Sequence, residues 1–452
     1  MIASIRHFLT HTLGIDKAIS AVLVGRGWSV VSGPVTVLMV ANFLSPVEQG
    51  YFYTFSSILA LQIFFDLGLA FVIMQFASHE KAALEWNSKG LLEGDLKAKQ
   101  RLAYLFKWSL SWYTIAGVLA FLALWFAGFW FFQTSDVSEA QNIQWQIPWI
   151  ILLGSTAASL VITPIWGILE GCGKIAEMHW FSSIQNVISG ITLWGILASG
   201  GHLFAASIST LVIPVMGITW LMLRYRVFLV DLWRSPCAFE NRISWRHELW
   251  PMQWKISLSW ASGYFIFQLI SPILFRYHGA EVAGQFGMTQ RIATSIQGLA
   301  YAWVSTKAAT FGSLIAARKY PELMAAFDHS SRVTLAVAAI GSAVFLLGLF
   351  LVSSLGLQLA NRFLSIPLAS LVCLNVFLNC YVFSIAVLAR AQKMEPFLVL
   401  SLVTAALTSL LVWIVCVTYG ATAFLIGINL INLGIAVPVS FIILKRLRRK
   451  FV

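Results

Sequence analysis

The chain has 452 residues, of which 59% are hydrophobic and only 11% are charged, with 30 Lys and Arg against 18 Asp and Glu. A water-soluble protein of this length would expose far more charge, so the composition excludes that class and predicts a polytopic membrane protein. The net charge of +12 does not indicate a nucleic-acid partner, because the basic residues lie in segments that fit membrane topology.

Twelve apolar stretches are long enough to cross a bilayer, which needs about 20 residues at 1.5 Å rise per residue. They predict an all-α protein with about twelve transmembrane helices. The stretches are residues 19–43, 51–76, 108–132, 146–169, 178–199, 202–223, 256–275, 284–316, 333–355, 368–389, 396–419 and 421–444.

The distribution of basic residues predicts the orientation of these spans. With the N-terminus in the cytoplasm, 25 of the 30 Lys and Arg fall in inner segments, and only Arg362 falls in an outer loop. Positively charged loops stay on the cytoplasmic side. We therefore expect a multi-pass protein with both termini cytoplasmic. The outer loops are acidic instead, with Glu48, Asp136, Glu139 and Glu281.

Three regions follow from this pattern. Residues 1–223 form an N-terminal lobe of six spans, 224–255 a basic cytoplasmic segment, and 256–452 a C-terminal lobe of six spans with a basic tail. A weak repeat links the lobes at an offset of 234, which aligns Gly50 with Gly284 and Phe52 with Phe286. Equal topology predicts parallel repeats, with sites between the lobes near the midplane.

The cysteines and the sequence motifs argue against a disulfide, a metal site, a cofactor and an enzymatic activity. None of the five cysteines (172, 237, 373, 380 and 416) lies in a predicted outer loop, and the chain has no CxxC and no His/Cys cluster. We therefore expect no disulfide, no metal site and no cofactor. The nucleotide-binding P-loop, GxSxG and HExxH motifs are absent from the sequence, which predicts a transporter and not an enzyme.

Four segments resemble a known family. Residues 44–80, which include Leu44 to Tyr51 and Asp66-Leu-Gly-Leu69, resemble the first outer turn and second helix of polysaccharide exporters in the MOP (multidrug/oligosaccharidyl-lipid/polysaccharide) superfamily. Ser45 stands where glycine is usual. Residues 168–178, 278–292 and 318–327 resemble later turns of the same proteins. O-antigen (Wzx-type) flippases fit best.

The resemblance implies a fold, a substrate and partners. It implies a V-shaped bundle of two lobes that moves an undecaprenyl-diphosphate-linked oligosaccharide from the inner to the outer leaflet by alternating access, for polysaccharide or O-antigen biosynthesis. Membrane lipids, a glycan polymerase and glycosyltransferases are the expected partners.

The eighth span carries a polar stripe on an apolar helix. Its members recur three and four residues apart, which puts them on one face. Such a face should line the interior and avoid lipid, and we expect Arg291 on it to bind a substrate anion. The alternative is that Arg291 pairs with a carboxylate to hold the lobes together. The stripe comprises Gln290, Arg291, Thr294, Gln297, Gly298, Tyr301 and Ser305, opposite Ile292, Ile296, Leu299 and Trp303.

The first span has a similar stripe of Arg26, Ser29, Gly33 and Thr36. Pro34 removes a backbone hydrogen bond and predicts a bend after Gly33. We expect Arg26 to point inward, where its guanidinium can fork two phosphate oxygens of a diphosphate.

Asp66, with Gln62 one turn before it, lies midway along the second span and has three open interpretations. It neutralises Arg26 or Arg291, it couples transport to a cation or proton (Na⁺ or H⁺, undetermined), or it is a fold element of the Asp-x-Gly pattern. A buried carboxylate has a raised pKa unless it is paired. The aligned position in the second lobe is Ala300, so the acid is not duplicated.

The remaining charged residues of the predicted spans are expected to have interfacial or structural roles. Lys307 falls nearly opposite Arg291 on the helix and, like Arg276, is placed to extend its charge to an interface. Glu170 is expected to pair with Lys174 at a helix end. The basic inner segment 78–107 has the pattern of an amphipathic helix on the anionic leaflet.

Two rival functions remain open. One is an ion-coupled multidrug or organic-cation antiporter of the same superfamily, which would favour an acidic interior where this chain has a basic one. The other is a non-transporting membrane component of a glycan-assembly complex.

Overall fold

The computed structural model describes residues 17–134, 143–236, 244–392 and 396–450. These residues are almost entirely helical, which confirms the predicted all-α class. Within these ranges the only sheet is an antiparallel hairpin of β1 (Leu84–Trp86) and β2 (Leu92–Gly94).

Residues up to 267 form ten helices among the described residues. They are α1 (Lys17–Phe43), α2 (Pro46–Leu59), α3 (Ile63–Asp66), α4 (Leu69–Lys81), α5 (Leu96–Gln133), α6 (Gln146–Leu169), α7 (Ile175–Ala198), α8 (Phe204–Arg224), α9 (Arg226–Arg234) and α10 (Trp250–Phe267). Short 3₁₀ or π turns connect some of them, at Ala60–Gln62, Glu170–Lys174 and Trp245–Leu249.

The rest of the described chain forms eight more helices. They are α11 (Ile270–His278), α12 (Ala280–Thr306), α13 (Ala308–Ala316), α14 (Tyr320–Ser354), α15 (Ile366–Ala391), α16 (Phe397–Leu411), α17 (Val417–Ile431) and α18 (Val437–Lys450). Their short turns lie at Gln358–Arg362, Val412–Cys416 and Asn432–Ala436.

The described residues cluster into two compact units. The first contains residues 17–28, 59–133 and 144–261, and its hydrophobic core is built from α4, the hairpin and α5 to α9. The second contains 29–58, 134, 143 and 262 onward, and its core is built mainly from α12 to α16 and α18. The predicted six-plus-six division into transport lobes stays a prediction.

The helices include enough apolar stretches for a polytopic membrane protein. By length and composition, seven stretches of the described chain can cross a membrane, or eight when Pro46–Asp66 and Leu69–Lys81 count as one bent span. Two of the seven, Gln146–Ala198 and Phe397–Arg449, have 53 residues each. That is about twice the length that a bilayer needs.

Both long stretches contain a glycine that departs from helical geometry. Gly173 has φ 88° and Gly420 has φ 72°, a conformation that glycine adopts without steric cost. With the bent pair counted, the described chain has eight stretches. Dividing each long stretch at its glycine adds two, and α1 and α12 add two more, which is consistent with the twelve predicted spans.

The predicted second span is broken after Asp66, where the helical stretches Pro46–Asp66 and Leu69–Lys81 meet at a bend of 44°. Leu67 and Gly68 both have left-handed backbones, with φ of 48° and 68°. A Cβ on Gly68 would overlap the Ile256 side chain of α10, so packing also requires glycine there. The hydroxyl of Ser257 donates to the Leu67 carbonyl at 2.7 Å. Packing and a hydrogen bond within the first unit therefore both stabilise this break.

The prediction of one amphipathic helix over residues 78–107 is wrong. Helix α4 ends at Lys81, the β1–β2 hairpin follows, and α5 begins at Leu96. The side-chain oxygen of Asn87 accepts hydrogen bonds from the backbone N–H groups of Lys89 and Leu91, both at 2.9 Å. Local bonds of this kind favour a turn over a helix, and they outweigh the spacing of the leucines.

The cations of this segment bond to protein groups of the first unit. Arg101 forms ion pairs with Glu80 at 2.7 Å and Glu248 at 2.6 Å. In addition, Lys99 pairs with Asp231 at 2.9 Å, and Lys107 donates to the Ser235 carbonyl at 2.9 Å. These partners tie α5 to α4, to α9 and to the segment before α10.

Candidate functional site

One face of α12 receives α1 and α2 within the second unit. A Cβ on Gly284 would lie 2.9 Å from the Gly50 nitrogen of α2, and one on Gly287 would lie 2.5 Å from Tyr53 Cβ. Ser295 follows on the same face, with its hydroxyl 2.5 Å from where a Gly33 Cβ of α1 would be. Small residues at the spacing of a helix face allow such close approach of backbones.

Arg291 occupies the same α12 face, between Gly287 and Ser295. Its side chain is exposed, and its positive charge acts on the hydroxyl of Tyr53. Among the described residues, the Arg291 guanidinium has no ion-pair partner. The carboxylate partner considered as the alternative role is therefore absent from the described part of the chain, and the cation is available to a ligand.

Most other polar side chains of the α12 stripe form hydrogen bonds to groups of α12 itself. Thr294 is exposed and donates to the Gln290 carbonyl at 2.6 Å, while Ser305 donates to the Ala302 carbonyl at 3.3 Å. Gln297 donates a hydrogen bond to the Tyr301 hydroxyl. The Tyr301 ring stacks on the Phe383 ring, with 3.8 Å between the ring centroids. Gln290 is half-buried.

Exposed side chains occur on both faces of α12. Leu299 and Trp303, predicted to lie opposite the stripe, are exposed at 37% and 41%. The fully buried positions beside them are Ala293, Ala300 and Val304, a row of small side chains against neighbouring helices. Small side chains at these buried positions allow neighbouring helices to pack closely.

Arg26 lies on α1, seven residues before Gly33, and its side chain is outside the described part of the structure. The predicted stripe does bring α1 to α12, because Gly33 packs on Ser295. Pro34 lies inside α1, directly after this contact. The role of Arg26 toward a diphosphate stays a prediction.

Asp66 ends α3, and its described partners belong to the break in the second span. Its Oδ2 accepts a hydrogen bond from the Gly68 N–H at 3.2 Å, and its Oδ1 accepts one from the hydroxyl of Tyr113, a fully buried residue of α5. A bond from an Asp side chain to the backbone N–H two residues later is typical of a turn, and here it lies where the helix stops. This geometry matches the fold-element interpretation. No ion pair of Asp66 is found within the described residues.

Gln62, Lys307 and Arg276 lie at helix ends. Gln62 ends the 3₁₀ turn before α3 and is half-buried, while Lys307 is exposed at the junction of α12 and α13. Arg276, in the last turn of α11, donates to the Thr134 hydroxyl at 2.7 Å.

The predicted pairing of Glu170 with Lys174 is not among the ion pairs of the described chain. The Lys174 ammonium instead lies 4.6 Å from the centre of the Trp86 ring on β1. A cation over an indole face is favourable, and it links the hairpin to the turn after α6.

Sequence reasoning missed three contributors to the α12 site. Tyr53 is buried, its hydroxyl has no hydrogen-bond partner among the residues that the structure describes, and it carries no charge that would single it out in the sequence. Ser295 lies one position from the predicted stripe. Gln49 donates to the Arg362 carbonyl at 3.0 Å, while Arg362 donates to the Leu44 carbonyl at 2.7 Å. The Gly-Tyr-Phe-Tyr run at 50–53 was the available signal for a packed contact.

Within the described residues, no group of three His, Cys, Asp or Glu side chains could hold a metal ion. Cys172, Cys373, Cys380 and Cys416 are buried free thiols, and Cys237 lies outside the described residues. The predicted outer-loop acids Asp136 and Glu139 also lie outside them.

Comparison with known proteins gives one family match. The model of a family described as polysaccharide biosynthesis protein matches residues 17–309. No curated protein matches the sequence.

Several solved structures share the fold at low sequence identity. The lipid II flippase MurJ in an inward closed conformation has a TM-score of 0.63 at 13% identity, covering 94% of this chain and 87% of that chain. An inward-facing MATE multidrug resistance transporter of the MOP superfamily has a TM-score of 0.60 at 16% identity, covering 92% and 98%. A MOP superfamily transporter from Pyrococcus furiosus, described as having a binding pocket of reverse polarity, has a TM-score of 0.57 at 15% identity, covering 96% and 95%. The chain therefore has the MOP transporter fold.

Proposed function

This chain belongs to the polysaccharide biosynthesis protein family, and from that premise we propose that it is a flippase for lipid-linked oligosaccharide. The cargo is a polyprenyl-diphosphate-linked glycan, with undecaprenol as the lipid. The protein moves its head group from the inner to the outer leaflet of the bacterial inner membrane by alternating access, with both termini cytoplasmic. A glycan polymerase and glycosyltransferases are its proposed partners, and the coupling ion is undetermined.

The observation that carries this proposal is Arg291. A charge on a membrane helix costs about 2.5–3.5 kcal/mol or more on insertion scales, so such residues are usually functional. Arg291 is exposed beside Tyr53, and no carboxylate of the described chain pairs with it. A guanidinium binds two phosphate oxygens at once, which suits a diphosphate head group. The lipid tail stays in the bilayer while the head group crosses.

A first test asks what accumulates without the protein. Cells depleted of it should build up a polyprenyl-diphosphate glycan, measured by mass spectrometry of extracted lipids. An unchanged lipid profile during active glycan synthesis would contradict the proposal. It would favour the antiporter alternative or a non-transporting component of glycan assembly.

The second test is Arg291→Ala. Loss of charged hydrogen bonds worth about 1.5–3 kcal/mol predicts a roughly 10- to 100-fold slower clearance of the accumulated lipid, with normal amounts of protein in the membrane. Arg291→Lys should recover only part of the activity, because an ammonium cannot fork two oxygens.

Arg276→Ala is the matched control, since Arg276 bonds to Thr134 within the second unit. It should clear the lipid at the wild-type rate. Equal activity of Arg291→Ala and wild type would exclude Arg291 as the diphosphate contact.

A further inference from the structure

A cavity of about 640 Å³ lies in the second unit, where α12 and α15 begin and α14 ends. This volume is within the range of about 300–1,000 Å³ that is usual for small-molecule sites. Arg291 and the rest of the α12 stripe do not line it. Its polar and aromatic lining consists of Glu281, Gln285, Ser353, Asn361, Phe363 and Ser365.

The walls of this cavity are fixed by hydrogen bonds across the elements that form it. Gln285 of α12 donates to the Asn361 carbonyl at 3.0 Å. The Leu364 N–H donates to the Thr289 hydroxyl, also on α12, at 3.1 Å. These bonds attach the segment between α14 and α15 to α12, so a ligand would meet a site that is already formed. Preorganisation of this kind lowers the cost of binding.

The chemistry of the described lining disfavours a phosphate and fits a sugar. Lys, Arg and His are absent from the described lining, and its one charged group is the exposed carboxylate of Glu281. The neighbouring Arg362 directs a guanidinium N–H to the Leu44 carbonyl. Exposed hydroxyls of Ser353 and Ser365 and the exposed amide of Asn361 supply donors and acceptors.

Apolar surface completes this amphipathic lining. Phe363, Leu349, Ile366 and Pro367 also line the cavity. A sugar ring presents hydroxyls around its edge and C–H groups on its faces, so it matches a cavity with both kinds of wall. A small cation would use only the single carboxylate.

We propose that this cavity binds one or more sugar units of the transported glycan, apart from its diphosphate. The inference rests on the proposed function. It places the cavity on the outer side, because Glu281 and Arg362 lie in the loops predicted to be outer. The glycan would be held there as it leaves, while the diphosphate is held elsewhere by arginine.

The test uses the free oligosaccharide without lipid or diphosphate. It is released by mild acid from the lipid that accumulates on depletion, and its binding to the full-length protein in nanodiscs is measured by saturation-transfer difference NMR. Wild type should bind it, and Arg291→Ala should bind it equally. Glu281→Gln and Asn361→Ala should each weaken binding measurably.

Two adjacent serines at the end of α14 provide a matched pair of variants. Both are exposed, but Ser353 lines the cavity and Ser354 does not. Ser353→Phe should raise Kd by about tenfold or more, equivalent to about 1.4 kcal/mol. Ser354→Phe should leave Kd unchanged.

The outcomes separate this inference from the proposed function. If no lipid-linked glycan accumulates, the proposed function fails, and this inference fails with it. If it accumulates but the free glycan does not bind, or binds Ser353→Phe and Ser354→Phe alike, only the sugar site is overturned. Ca²⁺ binding that Glu281→Gln abolishes, without glycan binding, would identify a cation site and also overturn it.

Discussion

At the scale of single residues, Asp66 shows how a motif can be recognised while its role is not. The sequence identified the acid and the Asp-x-Gly pattern, and it left three roles open. The structure gives the carboxylate Tyr113 and the Gly68 N–H as partners. Tyr113 is 47 residues away on another helix, so no local pattern could have predicted the pair.

Substitution of Asp66 separates a structural role from ion coupling. The carboxylate accepts from Gly68 with one oxygen and from Tyr113 with the other. Asn keeps one oxygen that can accept from the Gly68 N–H, and its NH2 group can donate to the Tyr113 hydroxyl oxygen, so Asp66→Asn should keep most of the thermal stability and should keep transport. Asp66→Ala leaves the Tyr113 hydroxyl unpaired and should cost about 1–3 kcal/mol of stability. The measurements are thermal unfolding in detergent and the level of lipid-linked glycan. A stable Asp66→Asn protein that fails to transport would indicate that the charge itself is needed.

Glu248 gives a pH-dependent prediction outside the membrane spans. Burial raises its pKa, but the Ser244 N–H and Arg101 bind the carboxylate and hold the pKa below its usual 4.5. Because the pKa of Glu248 is lower in the folded protein than in the unfolded chain, the ionised carboxylate stabilises the fold above pH 4.5. This stabilisation is lost as the pH falls through the folded-state pKa.

Thermal unfolding from pH 7 to pH 3.5 checks this prediction. Above pH 4.5, Glu248→Gln should unfold at a lower temperature than wild type. Below pH 4.5, the difference between the two unfolding temperatures should become smaller. Glu85→Gln, at an exposed position of β1, is the control and should follow wild type at every pH. A constant difference for Glu248→Gln across the range would exclude the ionised pair as its cause.

At the scale of elements, the contact between α2 and α12 depends on two glycines. Gly50 and Gly284 are the positions that the weak repeat aligned at an offset of 234, and the structure places them against each other. An alignment compares positions but carries no distances, so the sequence could not show that they meet. It did predict the polar stripe of α12, because helical periodicity is a local property.

The hairpin at 84–94 shows the opposite case. Periodicity predicted a helix there, and the Asn87 turn prevents it.

Substitution of these glycines should weaken the α2–α12 contact. A Cβ on Gly50 would overlap the Ala280 carbonyl. Gly50→Ala and Gly284→Ala should each cost about 1–3 kcal/mol through overpacking. The measurement is the thermal unfolding midpoint in detergent.

Gly348→Ala is the control for a plain helical glycine. Nothing lies within 4 Å of its Cβ position on α14, so it should be neutral or stabilising. If Gly50→Ala were equally harmless, the two helices would not be held at the distance seen here.

At the scale of the whole molecule, composition and apolar length were sufficient for the class, and the fold comparison agrees with it. Twelve spans required counting α1, whose apolar stretch Gly27–Phe43 is shorter than a full span in the described residues, and α12, which carries the polar stripe. The polar residues of α12 that suit it to transport therefore also weaken its signal as a membrane span.

Orientation is the prediction that belongs to this scale. Ser88 in the hairpin turn and Gln358 between α14 and α15 are exposed, and the charge distribution places them on opposite sides. With Cys237 replaced by Ser, Gln358→Cys should react with a membrane-impermeant maleimide in intact cells. Ser88→Cys should react only after permeabilisation. The reverse pattern would invert the proposed topology.

The ion pairs of Arg101 have a consequence for the order of events during synthesis. Its partner Glu248 follows 147 residues later, and the Ser235 carbonyl that binds Lys107 follows that residue by 128. At about 5–20 residues per second, the ribosome needs roughly 6–30 seconds to make that stretch. While the next spans are made, the nascent chain thus holds these cations without Glu248 and without the Ser235 carbonyl, and they can still steer insertion. Of the partners described above for Arg101 and Lys107, Glu80 alone is already made at that stage.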